Sequence, residues 1–264
     1  MMMKEVFEKL IRNALANDPP GEKDYVGENG MLTCGVCGEA KRSTVMCCGT
    51  SFVVPAPCRC KRERLEAEEA AERTAVNERH RAAAFNDARL RNVRFGLDDS
   101  PESTPSQTAR RYAEEFDPAQ NKWLLLYGQC GTGKSFLAAC IANAVIDNGY
   151  SVRFTSISEI ESRLWTAYDK SEVYAQLRRY DLLIIDDLCA ERQTEYMNEI
   201  AYNVIDTRYR CGKPVIVTAN LTGQQLMHPD TLDRQRIYSR IYESSQPVAM
   251  TGNDRRQQAL LTRR

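Results

Sequence analysis

The sequence has 264 residues, and its 36 basic and 36 acidic side chains give a formal net charge of zero at pH 7. This balance excludes a global basic field for nucleic acid, so any DNA binding must use a local patch. No apolar run approaches the ~20 residues that a membrane-spanning helix needs, and early acidic residues argue against a secretion signal. We therefore expect a cytoplasmic protein without a membrane partner, built as one large domain or as a full domain with a smaller appendage.

A short amphipathic helix is predicted at the start of the chain. Residues 4–17 place four apolar side chains at helical spacing: Val6, Leu10, Ile11 and Ala14. Such a helix either docks on its own domain or binds a partner, and the residues leave both alternatives open.

Six of the ten cysteines lie between residues 34 and 60, and this clustering favours a metal site over a disulfide framework. Two close pairs are the candidate zinc ligands: Cys34, Cys37, Cys58 and Cys60. Four thiolates from two turns suit tetrahedral Zn²⁺, although Cys47 or Cys48 could replace one of them. The alternative is that these cysteines are simply reduced or packed in a core.

Two segments connect the cysteine block to the rest of the chain. Residues 61–84 are polar, rich in Ala, Glu and Arg, and free of Gly and Pro, which predicts a solvated connector helix. Residues 98–108, DDSPESTPSQT, are predicted to form a loop from their composition.

From about residue 122, short apolar strands alternate with helices. The predicted strands are 123–127, 152–155, 182–185, 215–218 and a last short one at 248–251. The predicted helices run from the glycine turn to 148, over 157–179 with a break near Asp169, and over 194–210, 222–227 and 230–243. This alternation predicts an α/β fold with a parallel sheet covered by helices on both faces.

A glycine-rich turn between the first strand and its helix has the spacing G-x-x-x-x-G-K-S. Its residues are Gly128, Gln129, Cys130, Gly131, Thr132, Gly133, Lys134 and Ser135. Backbone N–H groups at the positive end of the helix would surround phosphate oxygens. Lys134 would neutralise the outer phosphates and the Ser135 hydroxyl would ligate Mg²⁺, so the turn predicts nucleotide binding.

Two acids follow the buried run LLII, at the strand edge where parallel sheets bind ligands. We expect Asp186 to hold Mg²⁺ and Asp187 to orient or deprotonate the attacking water. The alternative is that the two acids only cap the next helix.

Two further polar positions follow along the chain. Asn220, at the tip of the next strand, is a candidate for contacting the attacking water, although Asn is also an ordinary turn residue. Arg236 and Arg240 are four residues apart and share one helical face. Arg240 is either a solvated surface side chain or an arginine finger that reaches the γ-phosphate held by a neighbouring subunit.

The order GQCGTGKS, LLIIDD, VTAN and RIYSRIYE resembles the AAA+ ATPases, and among them the bacterial and phage helicase loaders of the DnaC/DnaI type. FNDARLRNVRF, at 85–95, and the cysteine block also resemble this family, so the similarity covers residues 34 to about 256.

The resemblance implies catalytic roles for Lys134, Asp187, Asn220, Arg240 and Arg256, with Arg255 as the alternative to Arg256 at the sensor II position. Many AAA+ proteins have Asp-Glu where this chain has Asp186-Asp187. The shorter acid lies farther from the water, which implies slow turnover and suits a timed switch. ATP, Mg²⁺ and Zn²⁺ are the implied cofactors.

The organisation that follows is a helix and zinc adaptor at 1–60, a helical connector at 61–84 and an AAA+ domain at 85–264. The resemblance implies that the adaptor binds a hexameric replicative helicase. It also implies that the AAA+ domains self-associate and that single-stranded DNA lies along the inner face of the oligomer.

Basic residues beside aromatic ones are the candidate DNA contacts, because single-strand binding combines positive charge with stacking faces. They are Arg153 with Phe154, Arg163 with Trp165, and Tyr174 with Arg178 and Arg179. Core packing explains the aromatic residues equally well.

Three alternatives to a helicase loader are open. A transposase-helper ATPase of the IstB type shares the phosphate-binding half, but lacks an obvious equivalent of the cysteine block. A small-molecule kinase shares the phosphate-binding turn and the parallel sheet, but residues 156–179 contain no glycine-rich hinged lid. The third is a nucleic-acid-binding protein with a silent nucleotide site.

Overall fold

The computed structural model describes residues 2–47, 49–120, 122–188, 194–252 and 254–255. Two compact units are present, Met1–Ala75 and Val76–Arg264. No helix within these described ranges is both long enough and apolar enough to cross a membrane.

The first unit combines a helix with two small antiparallel strand pairs, β1–β2 and β3–β4. Its elements are α1 (Met2–Ala16), β1 (Tyr25–Val26), β2 (Leu32–Thr33), β3 (Arg42–Cys47) and β4 (Thr50–Pro55). Helix α1 packs on β4, where the Phe7 and Phe52 rings meet edge to face at 5.3 Å. The predicted amphipathic helix therefore docks on its own unit, while Val6 and Leu10 remain exposed.

The predicted connector helix is observed as α2, at Arg59–Ala84. The division between the two units falls within it.

The second unit is a three-layer α/β structure. After short 3-10 helices at Ala88–Asn92 and Phe95–Leu97, its elements are α3 (Thr104–Glu114), β5 (Trp123–Gly128), α4 (Lys134–Asp147), β6 (Val152–Thr155), α5 (Ile157–Thr166), α6 (Lys170–Arg179), β7 (Leu182–Leu188), α7 (Glu195–Cys211), β8 (Val215–Ala219), α8 (Gly223–Met227), α9 (Leu232–Ser244) and β9 (Ser245–Met250).

The five strands β5 to β9 form one parallel sheet in the order β6-β7-β8-β5-β9. Alternate residues of β5 face opposite cores: Leu124 and Leu126 pack with the helices of one face, and Leu125 packs with those of the other. Helices on both faces confirm the predicted fold class. Since parallel strands end at a common edge, the carboxyl ends of β5, β7 and β8 lie side by side.

The loop prediction for residues 98–108 is wrong from Thr104 onward, where α3 begins. Ser103 caps this helix by accepting a hydrogen bond from the backbone N–H of Ser106. Pro105 lies in the first turn, where its missing N–H has no intrahelical partner to lose. The composition that predicts a loop is thus also the composition of a helix start.

The last strand begins earlier than predicted, at Ser245, and includes Pro247. Proline is tolerated there because β9 lies at the edge of the sheet formed by the described residues, next to β5.

Candidate nucleotide site and cysteine cluster

The glycine-rich turn lies between the end of β5 and the start of α4. Gly131 and Gly133 have φ of 78° and 96°, in the region that disfavours side chains. A Cβ added to Gly128 would lie 2.2 Å from the backbone oxygen of Met250 on β9, so only glycine fits this close approach. The turn therefore brings backbone N–H groups to the amino terminus of α4, where the helix dipole favours an anion.

Lys134 is 5% exposed and its side chain folds over the turn. Its Nζ donates hydrogen bonds to the backbone oxygens of Gly128 and Gln129, at 3.0 and 2.6 Å. The Thr132 hydroxyl also donates to the Gln129 oxygen, at 2.9 Å. These contacts hold the ammonium group beside the phosphate-binding backbone.

A cavity of about 370 Å³ opens at the turn. Its lining residues are Leu97, Asp99, Cys130, Gly131, Gly133, Lys134, Ser135, Phe136, Asp187, Asn220 and Arg255. Polar residues from three strand ends thus meet in one cleft at the carboxyl edge of the sheet, where doubly wound α/β folds bind their ligands. The residues fit a nucleotide whose phosphates would lie at the amino terminus of α4, and the Ser135 hydroxyl would be available to hold its metal ion.

The two acids lie at a kink in β7. The ladder between β7 and β8 shifts register between Ile185 and Leu188, and Asp187 has a φ of 57°, in the left-handed region. This bulge places Asp187 in the lining of the cavity.

Thr218, on β8, connects both acids through one hydroxyl group. Its Oγ1 donates to Asp186 Oδ1 at 2.7 Å and accepts from the backbone N–H of Asp187 at 2.8 Å. Asn220 Nδ2 donates to Asp187 Oδ1. The structure therefore brings together three of the predicted residues and adds Thr218, which the prediction missed. Its signal in the sequence is a lone hydroxyl in the aliphatic run VIVTA.

Arg255 enters the site from the end of the described chain. Its backbone N–H donates to the Gly131 oxygen at 3.0 Å, and its guanidinium lies 2.7 Å from Asp99 Oδ1. A Cβ at Gly133 would lie 3.3 Å from the guanidinium carbon, so this cation packs directly on the turn. Arg256, predicted first for this role, lies outside the described residues.

Arg240 lies on α9 and forms an ion pair with Asp206 on α7. It is not part of the cavity lining in the described part of its own chain. Its predicted role in the site of a neighbouring subunit stays a prediction.

In the first unit, the sulfur atoms of Cys34, Cys37, Cys58 and Cys60 all lie within 4.8 Å of one another. Tetrahedral Zn–S bonds of about 2.3 Å separate the sulfurs by about 3.8 Å, so the cluster fits a zinc ion. The backbone supports both turns: Gly38 N–H donates to the Cys34 oxygen and Arg62 N–H donates to the Cys58 oxygen, each at 2.9 Å.

The environment of the cluster favours thiolates at some positions. Backbone N–H groups, that of Cys60 first, lower the pKa of Cys37 to about 6. The crowded sulfurs, Cys58 first, raise the pKa of Cys60 to about 12. A divalent cation would remove this conflict by stabilising all four thiolates. Cys47 ends β3 outside this group of four, and Cys48 lies outside the described residues.

The candidate DNA contacts divide by burial. Arg153 is buried and donates to the Ala83 oxygen at 2.7 Å, while Phe154 packs on the Phe85 ring at 5.3 Å. Burial removes both from the candidate surface. Trp165 is 75% exposed and remains a candidate.

One protein family and several known proteins are similar to this chain. The family described as "IstB-like ATP binding protein" matches residues 62–262. An insertion-sequence ATP-binding protein of Sinorhizobium fredii is 32% identical over 146 residues, which are 54% of this chain and 49% of that protein.

Two helicase loaders are also similar. The replicative helicase loader DnaC of Escherichia coli is 28% identical over 49% of this chain and 56% of its own. The replicative helicase loader DnaI of Bacillus subtilis is 26% identical over 53% of this chain and 49% of its own. The chain thus spans about half the length of these curated relatives.

Solved structures show the same fold. The DnaI crystal structure has a TM-score of 0.56 at 24% identity and covers 67% of this chain and 99% of that one. The DnaC helicase loader has a TM-score of 0.53 at 22% identity and covers 62% of this chain and 100% of that one.

Proposed function

Because the chain belongs to the family of IstB-like ATP binding proteins, and is thereby an AAA+ ATPase, we propose that it is an ATP-driven helicase loader. In this role it binds a ring-shaped replicative helicase through its first unit, self-associates through its second, and delivers the ring to single-stranded DNA in the cytoplasm. Hydrolysis acts as a timed switch.

The nucleotide site supplies the switch. Lys134 neutralises the outer phosphates, and Ser135 and Asp186 are the candidate holders of Mg²⁺, which supplies charge neutralisation between the phosphates. Asp187 orients the attacking water, and Asn220, hydrogen-bonded to Asp187, fixes the direction of that carboxylate. Arg240 acts in the site of a neighbouring copy, so hydrolysis depends on assembly.

One observation carries the choice of a loader, namely the four-cysteine cluster in the first unit. All four ligand candidates precede residue 62, where the match to the ATP-binding family begins, so the cluster belongs to an added module. A zinc-stabilised module of this size has no room for catalysis and suits the recognition of a partner protein.

A helper in DNA transposition is the second candidate. It is supported by the family match and by the 32% identical relative, which is an insertion-sequence ATP-binding protein. Both candidates use the same nucleotide switch and differ in the partner. Membership of an ATPase family leaves the kinase alternative without support.

The test is a binding experiment with purified components. The full chain is immobilised and offered the replicative helicase of its source organism or, separately, the transposase of a neighbouring insertion sequence, with and without ATP. We expect the chain to retain the helicase, and the amount retained to depend on ATP. Lys134→Ala should remove this dependence, because the variant no longer binds the nucleotide. Retention of the transposase alone would establish the helper role and exclude the loader.

A further inference from the structure

The Arg240 side chain packs against helix α7. Its guanidinium pairs with the carboxylate of Asp206 and lies over the Tyr202 ring, 4.7 Å from the ring centre. The Tyr209 ring is 5.7 Å away on the same helix. The Arg240 side chain is 25% exposed and that of Asp206 is 16% exposed. This cation is therefore held in one place and still reaches the surface.

Asp206 has a second cationic partner. Its Oδ2 lies 2.8 Å from Nε of Arg210, whose side chain is 75% exposed, while its Oδ1 contacts Arg240. The two guanidinium groups thus use different oxygens of the same carboxylate, so the contact that orients Arg240 does not depend on Arg210.

We propose that Asp206 is the positioning residue of the arginine finger. It holds Arg240 against Tyr202 in the direction that meets the terminal phosphate on a neighbouring copy of the chain, and it does not touch the nucleotide itself. This inference rests on the shared-site function proposed above. Its physical basis is that a long arginine side chain loses rotamer freedom when it is ordered, and Asp206 has already imposed that order before the subunits meet.

The experiment measures ATP hydrolysis at saturating ATP and protein concentrations, together with the affinity for a fluorescent ATP analogue. Asp206→Ala is expected to lower kcat about tenfold, because a mobile guanidinium rarely reaches the correct geometry. Nucleotide affinity stays within about twofold, because the site of the same chain is unchanged. Asp206→Asn keeps the shape of the side chain and one acceptor oxygen, so its kcat is expected to lie between those of the parent chain and Asp206→Ala.

Arg210→Ala is the matched control. It removes the exposed partner of the same carboxylate and leaves the Arg240 contact in place, so kcat stays within about twofold of the parent chain. A loss of hydrolysis in this variant equal to that of Asp206→Ala would show that the whole cluster matters, and would overturn a specific role for the Asp206–Arg240 pair.

A double-mutant cycle separates positioning from structure. If Asp206 acts through Arg240, Asp206→Ala lowers kcat in the parent chain but changes nothing further in Arg240→Ala. Additive losses of kcat in the double variant would overturn the role of Asp206 but leave the shared site standing. Hydrolysis by Asp206→Ala at the wild-type rate or faster would have the same consequence. Normal hydrolysis in Arg240→Ala would overturn the shared site and the inference with it.

Discussion

At the scale of single residues, the hydroxyl of Thr218 links the two acids of the candidate site. It is buried in β8, yet both of its hydrogen bonds go to the neighbouring strand, one to the Asp186 carboxylate and one to the backbone of Asp187. It therefore holds the metal-binding candidate and the water-orienting candidate in fixed relation across the bulge. Chemistry that depends on both acids should be sensitive to this one group.

Thr218→Val keeps the shape of the side chain and removes both hydrogen bonds. We expect kcat to fall about tenfold or more as the acids lose their alignment, and the free energy of unfolding to fall by about 1 kcal/mol because the partly buried Asp187 N–H loses its acceptor. Steady-state hydrolysis and urea unfolding measure the two effects. Thr218→Ser, which retains the hydroxyl, should behave nearly as the parent chain; equal losses in both variants would contradict this role.

At the scale of elements, Arg208 joins helix α7 to its neighbours. It is fully buried, and its guanidinium donates to the backbone oxygens of Leu177 and Tyr180 at the end of α6 and of Pro214 before β8. Burial lowers the pKa of Arg208 to about 10, so it stays charged at neutral pH. Carbonyl groups at the end of one helix and the start of one strand are thus satisfied by a single cation.

Arg208→Met fills a similar length but leaves these carbonyl oxygens without a donor. We expect a loss of about 3 kcal/mol in unfolding free energy, measured by urea denaturation. Arg210→Met is the matched control on the same helix, since its side chain is 75% exposed, and it should change stability by less than about 0.5 kcal/mol. If Arg208→Met and Arg210→Met were equally stable, the carbonyl groups would be accepting hydrogen bonds from water in place of Arg208.

At the scale of the whole molecule, the two units differ in how they are stabilised. The second has an extensive apolar core on both faces of its sheet. Within the described residues, the first has small strand pairs, helix α1 and the beginning of α2, and two of its few buried side chains are Cys34 and Cys58. Isolated two-stranded hairpins are marginal in water, and we propose that a metal ion held by the cysteine cluster would add stability to this unit.

We therefore expect one zinc ion per chain, lost together with the protease resistance of residues 1–75 when a strong chelator is added. ATP affinity should persist, because its site lies in the other unit. Elemental analysis and limited proteolysis measure these outcomes.

Cysteine variants provide the controls. The double variant Cys34→Ser, Cys37→Ser should lose the zinc. Cys211 is an exposed cysteine of the second unit, so Cys211→Ser should retain it. If the variant with both Cys34→Ser and Cys37→Ser kept the metal and Cys47→Ser lost it, Cys47 would have to be assigned as a ligand instead.

The sequence predicts those parts that depend on neighbouring residues along the chain. The glycines and Lys134 follow from spacing, and the acids after LLII follow from the apolar run. The contacts of Thr218 with β7 and of Asp206 with Arg240 join residues about thirty positions apart, so no local pattern reports them. The start of α3 was missed for a different reason, because caps and loops share the same residues.

The bend at Asp187 has a practical consequence for anyone who improves this protein by directed evolution. A left-handed backbone at a φ of 57° suits glycine better than residues with a Cβ, although aspartate tolerates it better than most. A library ranked only by melting temperature would therefore sample glycine at this position without regard to the water-orienting role that we propose for the carboxylate.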